Sequence, residues 1–535
     1  MAEDRKYTAL DPRATMNDVQ RIPLAPRLHD LNHKTICFIE MLVDSGFEEL
    51  MDKAAGYLKL RYPEIQIKQV NKQSLSGAIS HESFDELIRQ TDAYVCFTAP
   101  ACSTVSDAIS WASQNLEKSG LPGVCVIYDN FLETAKIAVR REGAMIRYVA
   151  LPFPYNGISS DSMSGIPQQI EQGLTKPLNT DECAAGTYSP KKPPRVCVEG
   201  TLSEIQDYYY RSSMTDGLPI IPPTEENVAE MLKGTSHSPD EVVTYKMAPE
   251  KMKVTVENVA INAVMAGAKA QYMPVLLAAV EILGSNPAFC GTAKSTNSFS
   301  FMQVINGPVR NELEMNSGTY ALGPGNMANA VIGRALRLFL INLGGSRIGV
   351  NLMGVQGNAS SYTFAFAENE ENSPWESLAV EKGFKVGEST LSIFSGGWSV
   401  LGNYISGNLE KLLEGVSNFD PLSGLTVLFS PRQAKNLAEQ GHTKASIKEY
   451  IRKNTALPLG KFKEHYYYSH FVLPDIMGSG LSWSKDYLEL PNDVIVPILP
   501  KDQIHVVVVG DPLGTPMMQG WHMSRPNTVS IDKWR

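Results

Sequence analysis

The sequence predicts an α/β protein in which a doubly wound parallel sheet is followed by a larger α+β region. Between residues 33 and 175, short apolar strands alternate with helical segments at the spacing of βαβ units. Residues 176–198 hold four prolines and little periodicity, which indicates a linker. From residue 199 to 535 the predicted helices are longer and the strands are short and scattered, which favours an α+β domain.

In the first region, the predicted strands other than 65–70 are runs rich in apolar residues, as expected for strands buried on both faces. The run Gly-Val-Cys-Val-Ile-Tyr at 123–128 is the clearest example. The predicted strands are 35–42, 65–70, 92–97, 123–128 and 146–151. The predicted helices are 47–61, 83–90, 106–118 and 131–141, where apolar residues recur with helical spacing.

In the second region, four helices and a final strand are predicted from the same patterns. The helices are 224–233, 256–268, 272–283 and 327–343, and the strand is 504–510. The apolar stretch 258–284 is the best candidate for a membrane span, but Lys269, Gln271 and Pro274 interrupt it. Two core helices are therefore predicted there, and no membrane is expected as a partner.

Charge and the start of the chain argue against several classes of protein. The 535 residues carry 57 acidic and 48 basic side chains, a net charge of −9, which argues against nucleic acid as a partner. The polar N-terminus does not resemble a signal peptide, so a cytoplasmic location is expected. Residues 1–32 contain three prolines and are predicted to form an arm ordered by a partner subunit, which favours a homo-oligomer.

The seven cysteines are dispersed, which argues against a zinc ribbon or a dithiol motif. No Cys-x-x-Cys pair occurs among positions 37, 96, 102, 125, 183, 197 and 290. His465, His470 and His522 lack the spacing of metal ligands, so no metal is predicted. Because the nucleotide-binding glycine motifs are also absent, no cofactor is predicted either.

Cys102 is the strongest candidate for a reactive group, because it lies between a predicted strand and a predicted helix. Ligands of open parallel sheets bind at the carboxyl ends of the strands, near the topological switch point. The positive end of a helix favours thiolate over thiol, so Cys102 is a candidate nucleophile or proton-transfer group. Ser103, Thr104 and Ser106 are candidates to bind an anion there. The alternative is a small buried residue at a tight turn.

The second region offers a glycine-rich loop and an arginine as candidate binding groups. The loop 318–326 leads into the predicted helix 327–343, and its residues Gly323, Gly325 and Asn326 can hold a carboxylate or phosphate. A tight loop without a ligand is the alternative. Arg334 and Arg337 lie about one turn apart on the helix, and either can clamp a substrate carboxylate or form a buried ion pair.

Glu368 is the candidate acid or base of the second region. It follows the apolar run Phe-Ala-Phe-Ala at 364–367 and lies beside Glu370 and Glu371. Neighbouring carboxylates at a strand end raise one another's pKa, which suits proton transfer or cation binding. A solvated acidic turn is the alternative.

The residues around Cys102 also resemble those of known families. Ala101-Cys102-Ser103-Thr104 is similar to the Ala-Cys-Asn-Thr stretch of the aspartate/glutamate racemase superfamily. More of the chain resembles the UGSC-motif family, named for selenocysteine-Gly-Ser-Cys in the same strand-to-helix turn. The similar stretches begin at Asp92, Cys102, Asp107, Gly120, Phe131, Thr215, Asn316, Gly323, Ile332 and Glu368, and so extend over most of residues 35–535.

Two departures from these families narrow what the resemblance implies. The selenocysteine position falls near Ala99, so that only the second thiol position, Cys102, is kept. The second catalytic cysteine of the racemases has no counterpart, since the turn at 152–156 reads Pro-Phe-Pro-Tyr-Asn. The resemblance therefore implies a single-thiol mechanism, as in the superfamily relatives that are decarboxylases or isomerases.

Three functions are compatible with these observations. The first is an enzyme acting on a small molecule, of lyase, hydratase, isomerase or decarboxylase type, in which a Cys102 thiolate acts with Glu368 and Arg334 on a carboxylate-bearing or electrophilic substrate. The second is a thiol redox enzyme with Cys125 as the partner of Cys102. The third is a ligand-binding protein without chemistry.

Overall fold

The structure is a computed structural model and does not describe every residue. It describes residues 5–41, 46–72, 89–98, 102–143, 145–153, 163–401, 409, 424–464, 490–497, 499, 501–512, 517–522 and 525–535. Most of the predicted helix 83–90 lies outside these residues, and so do His465 and His470.

The first region contains a parallel sheet, as predicted. The strands of residues 5–200 are β1 (Tyr7–Leu10), β2 (Val19–Arg21), β3 (Thr35–Met41), β4 (Gln66–Lys72), β5 (Ala93–Thr98), β6 (Gly123–Tyr128), β7 (Arg147–Leu151), β8 (Gly186–Tyr188) and β9 (Val196–Gly200). Five of them form one all-parallel sheet in the order β4-β3-β5-β6-β7. The α/β fold class is confirmed.

Within the described residues, helices connect or follow the strands of this sheet. They are α1 (Gly46–Arg61), α2 (Cys102–Trp111), α3 (Leu132–Glu142) and α4 (Ile166–Thr175). Helix α2 begins four residues before the predicted start and continues as a π-helical turn, Ala112–Leu116. Its apolar residues Val105, Ala108 and Ile109 are fully buried against the sheet, which explains why this segment is a helix from its first turn.

The segment predicted as an arm pairs with the segment predicted as a linker. Strand β1 pairs with β9, and β2 pairs with β8, both antiparallel and both within this chain. Ala9 and Leu10 are fully buried in the apolar core of the second region. The arm is therefore ordered by its own chain, because its short apolar run buries surface there. The homo-oligomer stays a prediction.

The second region is longer than the first and contains both helices and strands. Its helices are α5 (Leu202–Arg211), α6 (Glu225–Leu232), α7 (Val256–Ala266), α8 (Met273–Ser285), α9 (Phe289–Ala293), α10 (Val309–Glu312), α11 (Met327–Leu338), α12 (Leu378–Glu381), α13 (Pro431–Glu439), α14 (Lys444–Asn454) and α15 (Leu459–Glu464). Its strands are β10 (Val242–Met247), β11 (Met252–Thr255), β12 (Ser300–Asn306), β13 (Ala365–Ala367), β14 (Thr390–Leu401), β15 (Gly424–Phe429), β16 (Leu457–Pro458), β17 (Ile495–Val496), β18 (Ile504–Val508), β19 (Met517–His522) and β20 (Asn527–Ser530).

A seven-stranded mixed sheet organises this region. Its order is β13-β12-β14-β19-β15-β18, and β20 also pairs with β14. Strands β12 and β13 are parallel, and β12 and β14 are antiparallel. The carboxyl ends of β12 and β13 therefore lie at one edge of the sheet, and their amino ends lie at the opposite edge.

The apolar stretch considered as a membrane span forms two separate helices, as predicted. Gly267 has φ +85° and ends α7 in the left-handed conformation, which a side chain would disfavour. Pro274 then lies in the first turn of α8, where its missing N–H costs no hydrogen bond. Across the residues described, no helix combines the length and the apolar character that crossing a membrane requires.

Candidate functional site

Cys102 lies beside the switch point of the parallel sheet. The chain leaves β3 for β4 on one side and later returns to β5 on the other side, so the direction of winding reverses between β3 and β5. Cys102 is the first residue of α2, which follows β5. This is the position at which ligands bind in sheets of this strand order.

The thiol of Cys102 is fully buried at this position. Burial raises the pKa of the Cys102 thiol to about 11, although the N–H groups of Cys102 and Met353, the Lys294 charge and the Thr134 hydroxyl all act to lower it. The predicted effect of the helix start is therefore present but smaller than the cost of desolvation. At neutral pH the group is a thiol, not the thiolate that the sequence suggested.

Residues of the second region cover the thiol. The N–H of Met353 acts to lower the pKa of Cys102 and donates to the carbonyl oxygen of Ser295 at 2.8 Å, and the Thr134 hydroxyl donates to the carbonyl oxygen of Val350 at 2.6 Å. Met353 also packs against the apolar core of the parallel sheet. The site is therefore built from the carboxyl edge of the first sheet and the segment 350–353 of the second region.

Lys294 is the cation of this site, and sequence reasoning missed it. Its ammonium group is buried and donates to Ser106 Oγ at 2.7 Å, and Asp107 Oδ1 lies 3.3 Å away. Lys294 follows the short helix α9, in which nothing in the local sequence marks it as buried. Only the packing of the second region against α2 brings its charge near Cys102.

A second buried cation, Arg141, joins the two regions. Its Nη1 donates to Glu250 Oε2 at 2.8 Å and to Ser106 Oγ at 3.1 Å, and its Nε donates to Glu142 Oε1 at 2.8 Å. Asn351 Nδ2 donates to the other Glu250 oxygen at 2.7 Å. The network fixes the covering segment to α2 and α3 by hydrogen bonds that include charged groups.

The three hydroxyl residues predicted to bind an anion differ in their surroundings. Thr104 and Ser106 are buried, and Ser106 accepts hydrogen bonds from both Lys294 and Arg141. The side chain of Ser103 lies outside the described part of the structure. Ser106 is thus a junction between two cations of the site.

Glu368 lies at a different place in the fold. It follows β13, and its Oε2 accepts hydrogen bonds from Asn306 Nδ2 at 2.6 Å and from the N–H of Leu378 at 2.8 Å. Lys444 Nζ lies 3.7 Å from its other oxygen, and burial raises the pKa of the carboxyl. None of these partners contacts Cys102, so the structure does not bring the two predicted catalytic residues together.

Arg334 and the glycine-rich loop are engaged in local structure. Arg334 forms a two-point ion pair with Asp216, with N–O distances of 2.8 and 3.0 Å. Asn326 caps α11 by accepting from the N–H of Asn329 at 3.0 Å. A Cβ on Gly323 would lie 2.5 Å from the Tyr320 ring, and Gly325 adopts φ +121°, so the loop is a tight turn.

The sequence left open whether Arg334 and Arg337 bind a substrate carboxylate or form buried ion pairs. The surroundings of Arg337 differ from those of Arg334. Arg337 is buried and lines a cavity with Thr292, Leu352 and Phe364. Sequence reasoning identified the residue but ranked Arg334 above it. The amphipathic spacing of the helix does not reveal which arginine meets a carboxylate.

The buried cysteines of the sheet do not have the neighbours that the redox hypothesis requires. Cys96 and Cys125 are register partners on β5 and β6, and both are free thiols; the Cys96 thiol donates to the Met41 sulfur at 3.0 Å. Cys37 is also buried in the same sheet. Cys125 therefore faces Cys96, well inside the sheet, and Cys102 lies beyond the end of β5.

Comparison with known proteins gives a family for the first region. The model of the UGSC family matches residues 8–180, a segment that includes the whole parallel sheet and Cys102. The similar stretches beyond residue 180 lie outside this match. No curated protein matches the chain. Within the described residues, no group of three or more His, Cys, Asp and Glu side chains is arranged to hold a metal ion. The resemblance to the UGSC family, expected from similar stretches that include Asp92 and Cys102, is confirmed for residues 8–180, and the similarity of the turn at Cys102 to the racemase superfamily stays a prediction.

Proposed function

We propose that this protein is a cysteine-dependent enzyme of lyase or isomerase type that acts on a small carboxylate. In this proposal the Cys102 thiol donates a proton to the carbon next to the carboxylate. The observation that carries it is a thiol held neutral at the carboxyl edge of the sheet, with the buried cation Lys294 nearby.

A neutral thiol suits proton donation better than nucleophilic attack. When a malonate-type diacid loses CO2, or when solvent takes a proton from the carbon next to the carboxylate, the electron pair stays on that carbon and makes it strongly basic. A thiol with a pKa of about 11 gives its proton to such a centre readily and becomes a thiolate. Solvent then returns the proton to sulfur, so the residue is unchanged after each turnover.

Lys294 supports the proposal electrostatically. Its charge acts to lower the pKa of Cys102, which means that it stabilises the thiolate left after proton transfer. The Met353 N–H acts in the same direction. Preorganised donors that stabilise developing charge are a principal source of catalysis in buried sites.

The proposal requires the substrate to reach a sulfur that has no exposed surface. Segment 350–353 and Thr134 cover it, and the hydrogen bonds that hold the segment include those from Thr134 to Val350, from Met353 to Ser295 and from Asn351 to Glu250. Substrate access therefore requires that this segment move away from Cys102. Movement of a covering segment is a common step in enzymes that exclude water.

The test uses the full-length protein in deuterated water with a panel of small 2-substituted monocarboxylates and malonate-type diacids. NMR follows deuterium incorporation beside the carboxylate and loss of CO2. The wild type should turn over at least one compound, and Cys102→Ser and Cys102→Ala should lose about 10²- to 10⁴-fold in rate. Cys183→Ser, which alters an exposed thiol, is the matched control and should keep the wild-type rate.

A second candidate function is ligand binding without chemistry, and the complete burial of Cys102 favours it. In that case no compound of the panel turns over, or the Cys102→Ser variant matches the wild type. Either result contradicts the proposed proton transfer. The redox alternative finds less support, because Cys125 lies within the sheet opposite Cys96 and Cys102 lies beyond the end of β5.

A further inference from the structure

A cavity in the second region is lined by one buried cation and mostly apolar side chains. The enclosed space is about 30 Å³, room for roughly two water-sized groups such as the oxygens of a carboxylate, and with the gaps that open to solvent the empty volume is about 390 Å³. Phe299, Leu336 and Phe364 form apolar walls, and Arg337 and Thr292 are polar residues of the lining. A concave apolar site with a few polar groups is the usual form of a small-molecule site.

Arg337 is a cation without a counter-ion at contact distance. It is 8% exposed, and among the residues the structure describes its guanidinium has no hydrogen-bond or ion-pair partner. Asp216 acts on it only at a distance and is already bound by Arg334 in a two-point ion pair. Burial lowers the pKa of Arg337 to about 10, which leaves it charged at neutral pH. A buried charge with no partner is costly, so a ligand that supplies the anion is expected.

Thr292 is an independent indication of a ligand. It is 2% exposed, and its Oγ1 has no hydrogen-bond partner within the described part of the chain. Buried hydroxyls are nearly always hydrogen-bonded in native proteins. Thr292 and Arg337 both line the cavity, so it is bounded by an unpaired hydroxyl and an unpaired cation, two kinds of donor that bind carboxylate oxygens.

We propose that this cavity binds a small organic monocarboxylate, with its carboxylate on Arg337 and Thr292 and its apolar body against Phe299 and Phe364. One cation neutralises one negative charge, and the apolar walls disfavour a strongly hydrated dianion such as inorganic phosphate. The proposal does not rest on the reactivity of Cys102, because it concerns binding alone.

The position of the cavity relates it to the thiol site. Leu352 lines the cavity, and its neighbour Met353 contacts Cys102. Thr292 also lines the cavity, and Lys294, two residues further, acts on the Cys102 charge. The same two chain segments therefore contribute to both sites, and a bound carboxylate lies where its occupancy can affect the segment that covers the thiol.

Calorimetric titration of the full-length protein with acetate, butyrate and benzoate tests the proposal. Butyramide is the neutral analogue of butyrate, and inorganic phosphate is the competing anion. At least one monocarboxylate should bind, and butyramide should bind roughly tenfold more weakly than butyrate or not at all. Arg337→Met should lose roughly tenfold or more in carboxylate affinity, and Thr292→Val should lose less. Cys183→Ser, which alters an exposed thiol, is the control and should bind as the wild type does.

If binding is too weak for calorimetry, thermal unfolding provides a second test of the proposal. Without ligand, Arg337→Met should unfold at a temperature equal to or above that of the wild type, because an unpaired buried charge is removed. Carboxylate should raise the unfolding temperature of the wild type and not that of Arg337→Met. The proposal is overturned if no monocarboxylate binds, if butyramide or phosphate binds as well as butyrate, or if Arg337→Met binds butyrate unchanged.

Discussion

Two opposing effects determine the pKa of the Cys102 thiol. The helix start, the Met353 N–H and Lys294 favour its thiolate, and burial disfavours it more strongly. The sequence reveals the helix start but not the depth of burial, since the residues that cover the sulfur come from positions 350–353. The location of the residue was therefore predictable, and its protonation state was not.

The raised pKa gives a prediction for the chemical reactivity of Cys102. Only the thiolate reacts with iodoacetamide, and the pKa of this thiol is raised from 9.0 to about 11. At neutral pH its thiolate fraction is then about a hundredfold smaller than that of an unperturbed cysteine, and its alkylation rate should rise with pH until about 11. Mass spectrometry that follows each cysteine should find exposed Cys183 alkylated first.

The opposite order of alkylation would count against this description of the site. If Cys102 reacted faster than Cys183 at pH 7, the thiol would be activated, as the helix-start argument alone suggests. The proton-donor role would then give way to nucleophilic attack.

At the scale of elements, the first region follows the sequence closely. The strand predicted at 123–128 has the same bounds in the structure, because each of its six residues is buried and apolar packing alone determines it. Helix α2 differs from its prediction because Ser and Thr, which usually precede a helix, lie within its first turn here. The cavity at Arg337 was beyond prediction, since it depends on how α11 packs against segments 292–301 and 352–364.

The loop before α11 yields a prediction that separates a structural role from a binding role. Asn326 caps the helix and donates to the carbonyl oxygen of Glu314 at 2.8 Å. Asn326→Ala should therefore lower the free energy of unfolding by about 1 kcal/mol, as measured by denaturant titration. Carboxylate affinity of the folded protein should stay unchanged, and a tenfold loss would instead assign the loop to ligand binding.

At the scale of the whole molecule, the candidate site exists only where the two regions meet. Arg141 of α3 and Glu250 of the second region form a buried ion pair, and Asn351 of the covering segment binds the same carboxylate. Neither region by itself supplies the surroundings of Cys102. This explains why the sequence motifs identify Cys102 but do not show which residues surround it.

Arg141→Met tests whether this contact holds the covering segment over Cys102. The change leaves Glu250 buried with an unpaired charge, so the free energy of unfolding should fall by about 3–5 kcal/mol. Because the segment 350–353 is then less firmly held, Cys102 should also react faster with a thiol reagent under native conditions. Arg140→Met, which alters the exposed neighbouring arginine, is the matched control and should change stability by less than about 0.5 kcal/mol. A destabilised Arg141→Met protein in which Cys102 reacts no faster would mean that other contacts bury the thiol, and that substrate access does not depend on this junction.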